Sequence, residues 1–228
     1  MNTTFEYQPG LDGLRAVAIA LVLVFHSGLG WLPGGFLGVS VFFTLSGYLI
    51  TSILLAEATD SKRIDLGRFW ERRFRRLLPA ALLTITSVSL IARWLSTPTE
   101  QSRVRGDALA SIAYVSNWRS IVSHLSYQDI FSTVSPLVHL WSLSIEEQMY
   151  LVLPLLVAGS WILVPSRRRV GIATLLLVIA STSISTFFVA GDRLYYGTDA
   201  RSAELLVGAA AAALVGNRIP SLRSRGAL

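Results

Sequence analysis

The sequence predicts an all-α fold, a polytopic bundle of transmembrane helices, and three observations carry that reading. Hydrophobic residues fill 52% of the 228 positions, whereas charged residues fill only 15%, well below the roughly 25% of an ordinary soluble domain. Mean hydropathy is +0.54. The apolar residues also fall into long uncharged blocks, with arginines punctuating them instead of forming one basic face.

That placement argues against nucleic acid as the partner of the +6 net charge, because a nucleic-acid footprint gathers its cations on one face or stripe. With no cysteine and three histidines, thiolate metal sites are absent and a His-rich centre is not expected. The first apolar block follows Asp12 and Arg15 and runs past any small-residue cleavage site. It therefore reads as a retained span and not as a signal peptide.

About 20 apolar residues are needed to cross about 30 Å of hydrocarbon. Ala16 to Leu32 is the first such block and Phe36 to Ala56 the second, with Leu32, Pro33, Gly34 and Gly35 as the turn between them. Leu77 to Ala92 is the third, extendable through a snorkelling Arg93. Gln148 to Val164 and Val170 to Gly191 follow, and Ser202 to Gly216 is a shorter sixth, with Glu204 at its entrance. Asp107 to Arg119 is too short between charges to span and reads as interfacial or re-entrant. It lies in a long stretch, Thr97 to Leu140, read as an outer loop with its own short helix. No internal repeat or linker divides residues 1–228, so they read as one domain.

Sidedness follows from the positive charge. With the N-terminus inside, six spans put loops 57–76, 165–169 and 217–228 in the cytoplasm. Together with Arg15 these segments hold 14 of the 20 lysines and arginines. The expectation is a membrane protein with a cytoplasmic N-terminus, and the resemblance given below sets it in the bacterial inner (cytoplasmic) membrane.

Ionisable groups within spans are costly, so each is a functional candidate. On a helix, Arg15 and His26 lie about 20° apart in azimuth and roughly 16 Å apart along the axis. One stripe thus carries a cation at the inner surface and an imidazole toward the outer one. A histidine bonded to a neighbouring helix is the plain alternative. The run Trp141 to Tyr150 brings Glu146 and Glu147 into the fourth span from the outer side, with Glu146 and Tyr150 on one face at i, i+4. A carboxylate there can orient an imidazole, or it can simply favour the helix N-terminus. The arginines 68, 72, 73, 75 and 76 form an inner anchor with Phe69, Trp70 and Phe74. The same guanidinium forks suit the phosphates of a cytoplasmic ligand.

These segments together resemble the bacterial membrane acyltransferase 3 family, which includes O-acetylases of lipopolysaccharide and peptidoglycan. The resemblance covers Tyr7 to Ala16 followed by His26, the run Gly34 to Thr51, and Arg72, Arg73 and Arg76 before Leu77-Leu78-Pro79. It continues in His139 to Tyr150 and in Asp199-Ala200-Arg201 before Glu204-Leu205-Leu206. It implies that His26 is the essential residue, that Arg73 and Arg76 form the Arg-x-x-Arg motif, and that Glu146 is the span-four glutamate. Ser40 stands where many members have aspartate. The family domain usually has about ten spans, so a chain of about six reads as its N-terminal part, incomplete at the C-terminal end.

The resemblance implies transfer of an acyl group, acetyl above all, from cytoplasmic acyl-CoA to a hydroxyl of an extracytoplasmic glycan, with no permanently bound cofactor or metal. In that scheme Arg72, Arg73 and Arg76 hold the CoA head, Arg15 guides the donor, and His26 acts as base or transient acyl carrier. Glu146 orients His26, while Trp141 and Tyr150 shape the substrate site. Two readings compete. A proton-coupled transporter or glycan flippase would use His26 and Glu146 as a relay, and an inactive fragment would bind acyl-CoA without transferring.

Overall fold

The computed structural model describes residues 8–27, 33–123 and 135–215, and among these it is helical with no strand. Helix α1, Pro9–His26, starts from an extended Gln8 with proline at its first position, where the missing N–H costs nothing. A 3-10 turn, Pro33–Phe36, leads into α2, Leu37–Ser61, which stops at Lys62 in the left-handed conformation. The Asp65 side chain accepts the Arg68 backbone N–H at 2.9 Å and starts α3, Leu66–Leu95. Then come α4, Pro98–Ile112, and α5, Ser116–Val122. A second 3-10 turn, Pro136–Leu140, feeds α6, Trp141–Leu163. The chain continues through α7, Arg167–Phe188, the short α8, Asp192–Tyr196, and α9, Thr198–Val215.

Five stretches are long and apolar enough to cross a membrane: Pro9–His26, Gly34–Ser61, Leu66–Leu95, Pro136–Leu163 and Arg167–Phe188. The chain is a multi-pass membrane protein. Large apolar side chains such as Leu83, Leu95, Ile162, Phe187 and Phe188 are exposed on these helices, as expected of a surface that lipid covers. The sixth expected span, 202–216, lies in α9 and differs from the other five. Its helix carries Asp199, Arg201 and Glu204 within 18 residues, too much charge for a span that stands on its own hydropathy. Gly216 falls outside the described residues, as do Tyr7, Leu32 and the expected inner segment 217–228.

Three other elements differ from expectation. α1 begins at Pro9, not Ala16, so Arg15 sits in its second turn and His26 closes it. α3 is continuous through the basic run. At 30 residues it is about 45 Å long, longer than the hydrocarbon it crosses, so the arginines extend the helix and do not form a loop. The segment 97–140 holds two helices, α4 and α5, hinged at Tyr114, whose φ is +53°. Residues 124–134 of that segment lie outside the described residues.

The chain divides into two compact units. The first gathers residues 1–64, 150–180 and 202–228, with Phe43, Ile50, Leu54, Leu55, Leu153, Val157, Val170 and Leu205 almost fully buried. Its helices meet through small residues. A Cβ on Gly38 would strike the Ala18 carbonyl, one on Gly47 the Leu205 carbonyl, and one on Gly208 the Thr44 carbonyl. Lipid supplies no hydrophobic drive between helices, so this close backbone approach is what holds them.

The second unit gathers 65–149 and 181–201. In it α3 packs on α4 around Ile85, Ala92, Val104, Ala108 and Leu137. The start of α4 is fixed by a capping box: Glu100 N–H donates to the Thr97 hydroxyl, and Thr97 N–H donates to the Glu100 carboxylate at 2.8 Å.

Candidate functional site

The expected site residues divide between the two units. Arg15, His26 and Tyr150 lie in the first; Arg72, Arg73, Arg76, Trp141 and Glu146 lie in the second.

His26 is the last residue of α1 and is half-buried. Its Nδ1 lies 2.8 Å from the Val22 carbonyl oxygen. A carbonyl has no proton to give, so Nδ1 carries the hydrogen of this bond. Phe25 meets the imidazole edge-on at 5.5 Å and Phe36 at 6.0 Å, bracing the last turn of α1 against the 3-10 turn. Arg15 is half-exposed, with Asp12 at 3.9 Å, a weak surface pair.

Elsewhere in this unit, the buried Tyr150 donates its hydroxyl to Ser46 Oγ at 3.1 Å, which fixes the phenol on α2. Pro154, four residues on, has no N–H to offer the Tyr150 carbonyl. Ser40 donates to Glu204 Oε1 at 3.1 Å. The Ser40 hydroxyl on α2 is thus met by a carboxylate from α9. Sequence reasoning had no access to a pairing across 164 residues.

In the second unit, Arg72 and Arg76 are exposed and Arg73 is half-buried. The charge of Arg73 acts on Glu147, so the basic run and the acidic start of α6 come together within one unit. Glu146 is half-buried. Glu147 is 4% exposed, and its Oε1 has no hydrogen-bond partner among the described residues.

Gln148, which nothing in the sequence pattern singles out, is a hub. Its Nε2 donates to the Tyr114 carbonyl at 2.7 Å and to Asn117 Oδ1 at 3.0 Å. Its Oε1 accepts from Trp118 Nε1 at 3.3 Å and from the Thr198 hydroxyl. Asn117, fully buried, passes the network on to the Tyr196 carbonyl and to Thr198, both at 3.0 Å. The hydroxyls of Ser116 and Ser144 meet at 2.9 Å. Burial pushes the Tyr114 phenol up from its ordinary value, and the nearby Glu147 charge pushes the same way.

Trp141 is 3% exposed. It packs with Tyr195 and Tyr196 at ring separations of 4.8 and 5.3 Å. The Arg201 guanidinium lies 5.9 Å from the Trp141 ring and 5.1 Å from that of Tyr195, a cation–π arrangement. Arg193 binds Asp199 through two nitrogens, at 3.1 and 2.8 Å, and caps Trp118 at 5.7 Å. Trp141 is therefore the floor of an aromatic–arginine stack, an arrangement its position alone did not reveal.

A family model described as an acyltransferase domain matches residues 8–226. Among curated proteins, the chain is 46% identical over 230 residues to the putative peptidoglycan O-acetyltransferase YrhL of Bacillus subtilis, covering 95% of the chain and 36% of that protein. It is 44% identical to the peptidoglycan O-acetyltransferase OatA of Listeria monocytogenes, covering 91% of the chain and 34% of the relative. It is also 44% identical to the O-acetyltransferase OatA of Staphylococcus aureus, covering 89% and 34%. The chain thus spans about a third of the length of these relatives. No solved structure matches it.

Proposed function

Because the chain belongs to the acyltransferase domain family, we propose that it performs the membrane step of an envelope O-acetyltransferase. That step moves an acetyl group from cytoplasmic acetyl-CoA to a hydroxyl of an extracytoplasmic glycan, of the peptidoglycan class named for its relatives. The observation that carries the reading is the Nδ1–H bond of His26 to the Val22 carbonyl. It leaves Nε2 as the atom able to take a proton from an incoming hydroxyl.

In this reaction the acceptor O–H bond breaks and its proton passes to Nε2. The oxygen forms a bond to the thioester carbonyl carbon, the C–S bond breaks, and the imidazolium returns the proton to the departing thiolate. Arg72, Arg73 and Arg76 hold the phosphates of the donor at the inner face, and Arg15 guides it along α1. Glu146 supplies the polarising carboxylate, and Trp141 and Tyr150 shape the substrate site. The cell inner membrane, with the N-terminus cytoplasmic, is the setting that the distribution of arginines favours.

The test is His26→Ala in the membrane-embedded protein, followed by transfer of labelled acetyl groups from acetyl-CoA to a soluble peptidoglycan oligosaccharide. Loss of general-base catalysis lowers the rate about 10²- to 10⁴-fold. A near-normal rate from correctly inserted protein would sink the assignment.

A further inference from the structure

Glu147 is the buried ionisable group that the mechanism above leaves unused. It lies in the second turn of α6, 4% exposed, with Oε1 unpartnered among the described residues. An ionised carboxylate only accepts hydrogen bonds, and a buried acceptor without a donor is one of the most unfavourable arrangements in a fold. The neighbouring polar groups cannot relieve it as they stand. Both Gln148 amide hydrogens go to the Tyr114 carbonyl and Asn117. Ser144 donates to the Leu140 carbonyl at 3.1 Å.

The surroundings are nevertheless organised. Arg73 supplies the opposite charge, while Glu146 adds a like one. Tyr114 sits at φ +53° with its carbonyl accepting from the Gln148 amide, and its phenol lies within range of the Glu147 charge. Non-glycine residues in the left-handed region collect at ligand sites, where the surrounding structure over-determines them.

We propose that Glu147 is a substrate-binding residue: its Oε1 accepts a hydrogen bond from a neutral O–H or N–H of a bound substrate, beside Arg73 and Tyr114. This rests on the acyltransfer reading for the identity of the substrates. Two sources offer that chemistry, a hydroxyl or amide of the acceptor sugar and an amide N–H of the acetyl-CoA arm.

The experiment compares Glu147→Leu, which keeps the volume and removes the acceptor, with Glu147→Gln, which keeps one carbonyl oxygen. Acetyl-CoA and a soluble peptidoglycan oligosaccharide are titrated separately against the detergent-solubilised protein, and ligand-induced shifts in melting temperature give Kd. KM and kcat are measured in membranes. Glu147→Leu weakens one probe about tenfold or more, as loss of one hydrogen bond to a charged group implies. KM for the same substrate rises with its Kd, and Glu147→Gln recovers part of the loss, as an amide carbonyl still accepts the bond without the charge. Weakening of acetyl-CoA assigns the donor as source; weakening of the oligosaccharide assigns the acceptor. Unchanged Kd and KM for both probes in Glu147→Leu overturn the proposal, and so does equal loss in both variants accompanied by a lower melting temperature. A wild-type protein that binds a probe in a Glu147-dependent way without transferring acetyl would remove the acyltransfer reading and leave this one standing.

Discussion

Gln148 Nε2 donates to the carbonyl oxygen of Tyr114 at 2.7 Å, bridging 34 residues of chain to the one point where α4 and α5 hinge in the left-handed region. The same amide group accepts from Trp118 and Thr198. One side chain therefore ties together α5, α6 and the start of α9.

Gln148→Ala strands several partly buried polar partners and the fully buried Asn117 at once, an unpaired buried group costing about 1–3 kcal/mol. The expected result is a lower melting temperature and a shifted Trp118 fluorescence. Gln148→Glu should be at least as damaging, because it sets a carboxylate oxygen against the Tyr114 carbonyl and Asn117 Oδ1. Melting curves of the two variants in one detergent decide the order.

Glycines in the first unit divide by what surrounds them. A Cβ on Gly47 meets the Leu205 backbone, whereas one on Gly159 meets nothing within 4 Å. Gly47→Ala should destabilise by about 1–3 kcal/mol through overpacking. Gly159→Ala, in an open position on α6, should stabilise by about 0.5–1 kcal/mol through helix propensity. Opposite signs in denaturant or thermal unfolding are the check.

The capping box of α4 gives a pH dependence outside the membrane. Bonds from the Thr97 backbone and hydroxyl hold the Glu100 carboxyl below its ordinary range, with Arg103 adding in the same direction. A depressed carboxylate stabilises the fold above its unfolded value and loses that contribution as pH falls through its folded one. Protection of the first α4 amides, corrected for intrinsic exchange, should fall as pH drops below about 4.5. Thr97→Ala, which removes the side-chain half of the box but keeps the Thr97 N–H bond, should reduce the amplitude of this profile without abolishing it.

Arg73 and Arg76 share a motif but not an environment. Arg76 is exposed, while Arg73 is half-buried and acts on Glu147. Arg76→Ala should leave stability within about 0.5 kcal/mol, whereas Arg73→Ala should lower it by removing a counter-charge from a buried carboxylate. The double variant should weaken acetyl-CoA binding at least about tenfold by equilibrium binding, since hydrogen bonds to charged groups contribute about 1.5–3 kcal/mol each. Unchanged affinity would argue against phosphate docking here.

Much of this architecture is legible in sequence because lipid imposes a simple rule: runs of apolar residues become spans. α2, α6 and α7 follow directly from it. α3 shows where the rule stops, since helix propensity carries it back through Arg68 to Arg76, beyond the apolar block. α9 shows the opposite limit, where packing against glycines replaces hydropathy. Motif residues such as His26, Arg73 and Glu146 can be named from spacing and resemblance. Their partners cannot, because the Ser40–Glu204 bond and the Gln148 hub join residues with no periodic relation. The orphaned oxygen of Glu147 belongs to the same class, as burial is a property of the assembled helices.

The crossing of Gly47 with Leu205 and of Gly208 with Thr44 also has a meaning for biogenesis. α2 leaves the ribosome some 140 residues before α9 and, as the more apolar helix, can enter the bilayer unaided. α9 carries charges in its first turns and gains its place by fitting a groove that already exists. Its insertion therefore follows that of α2. A fault at Gly47 would be felt by α9, leaving a nascent chain with an undocked, alanine-rich helix exposed to membrane quality control.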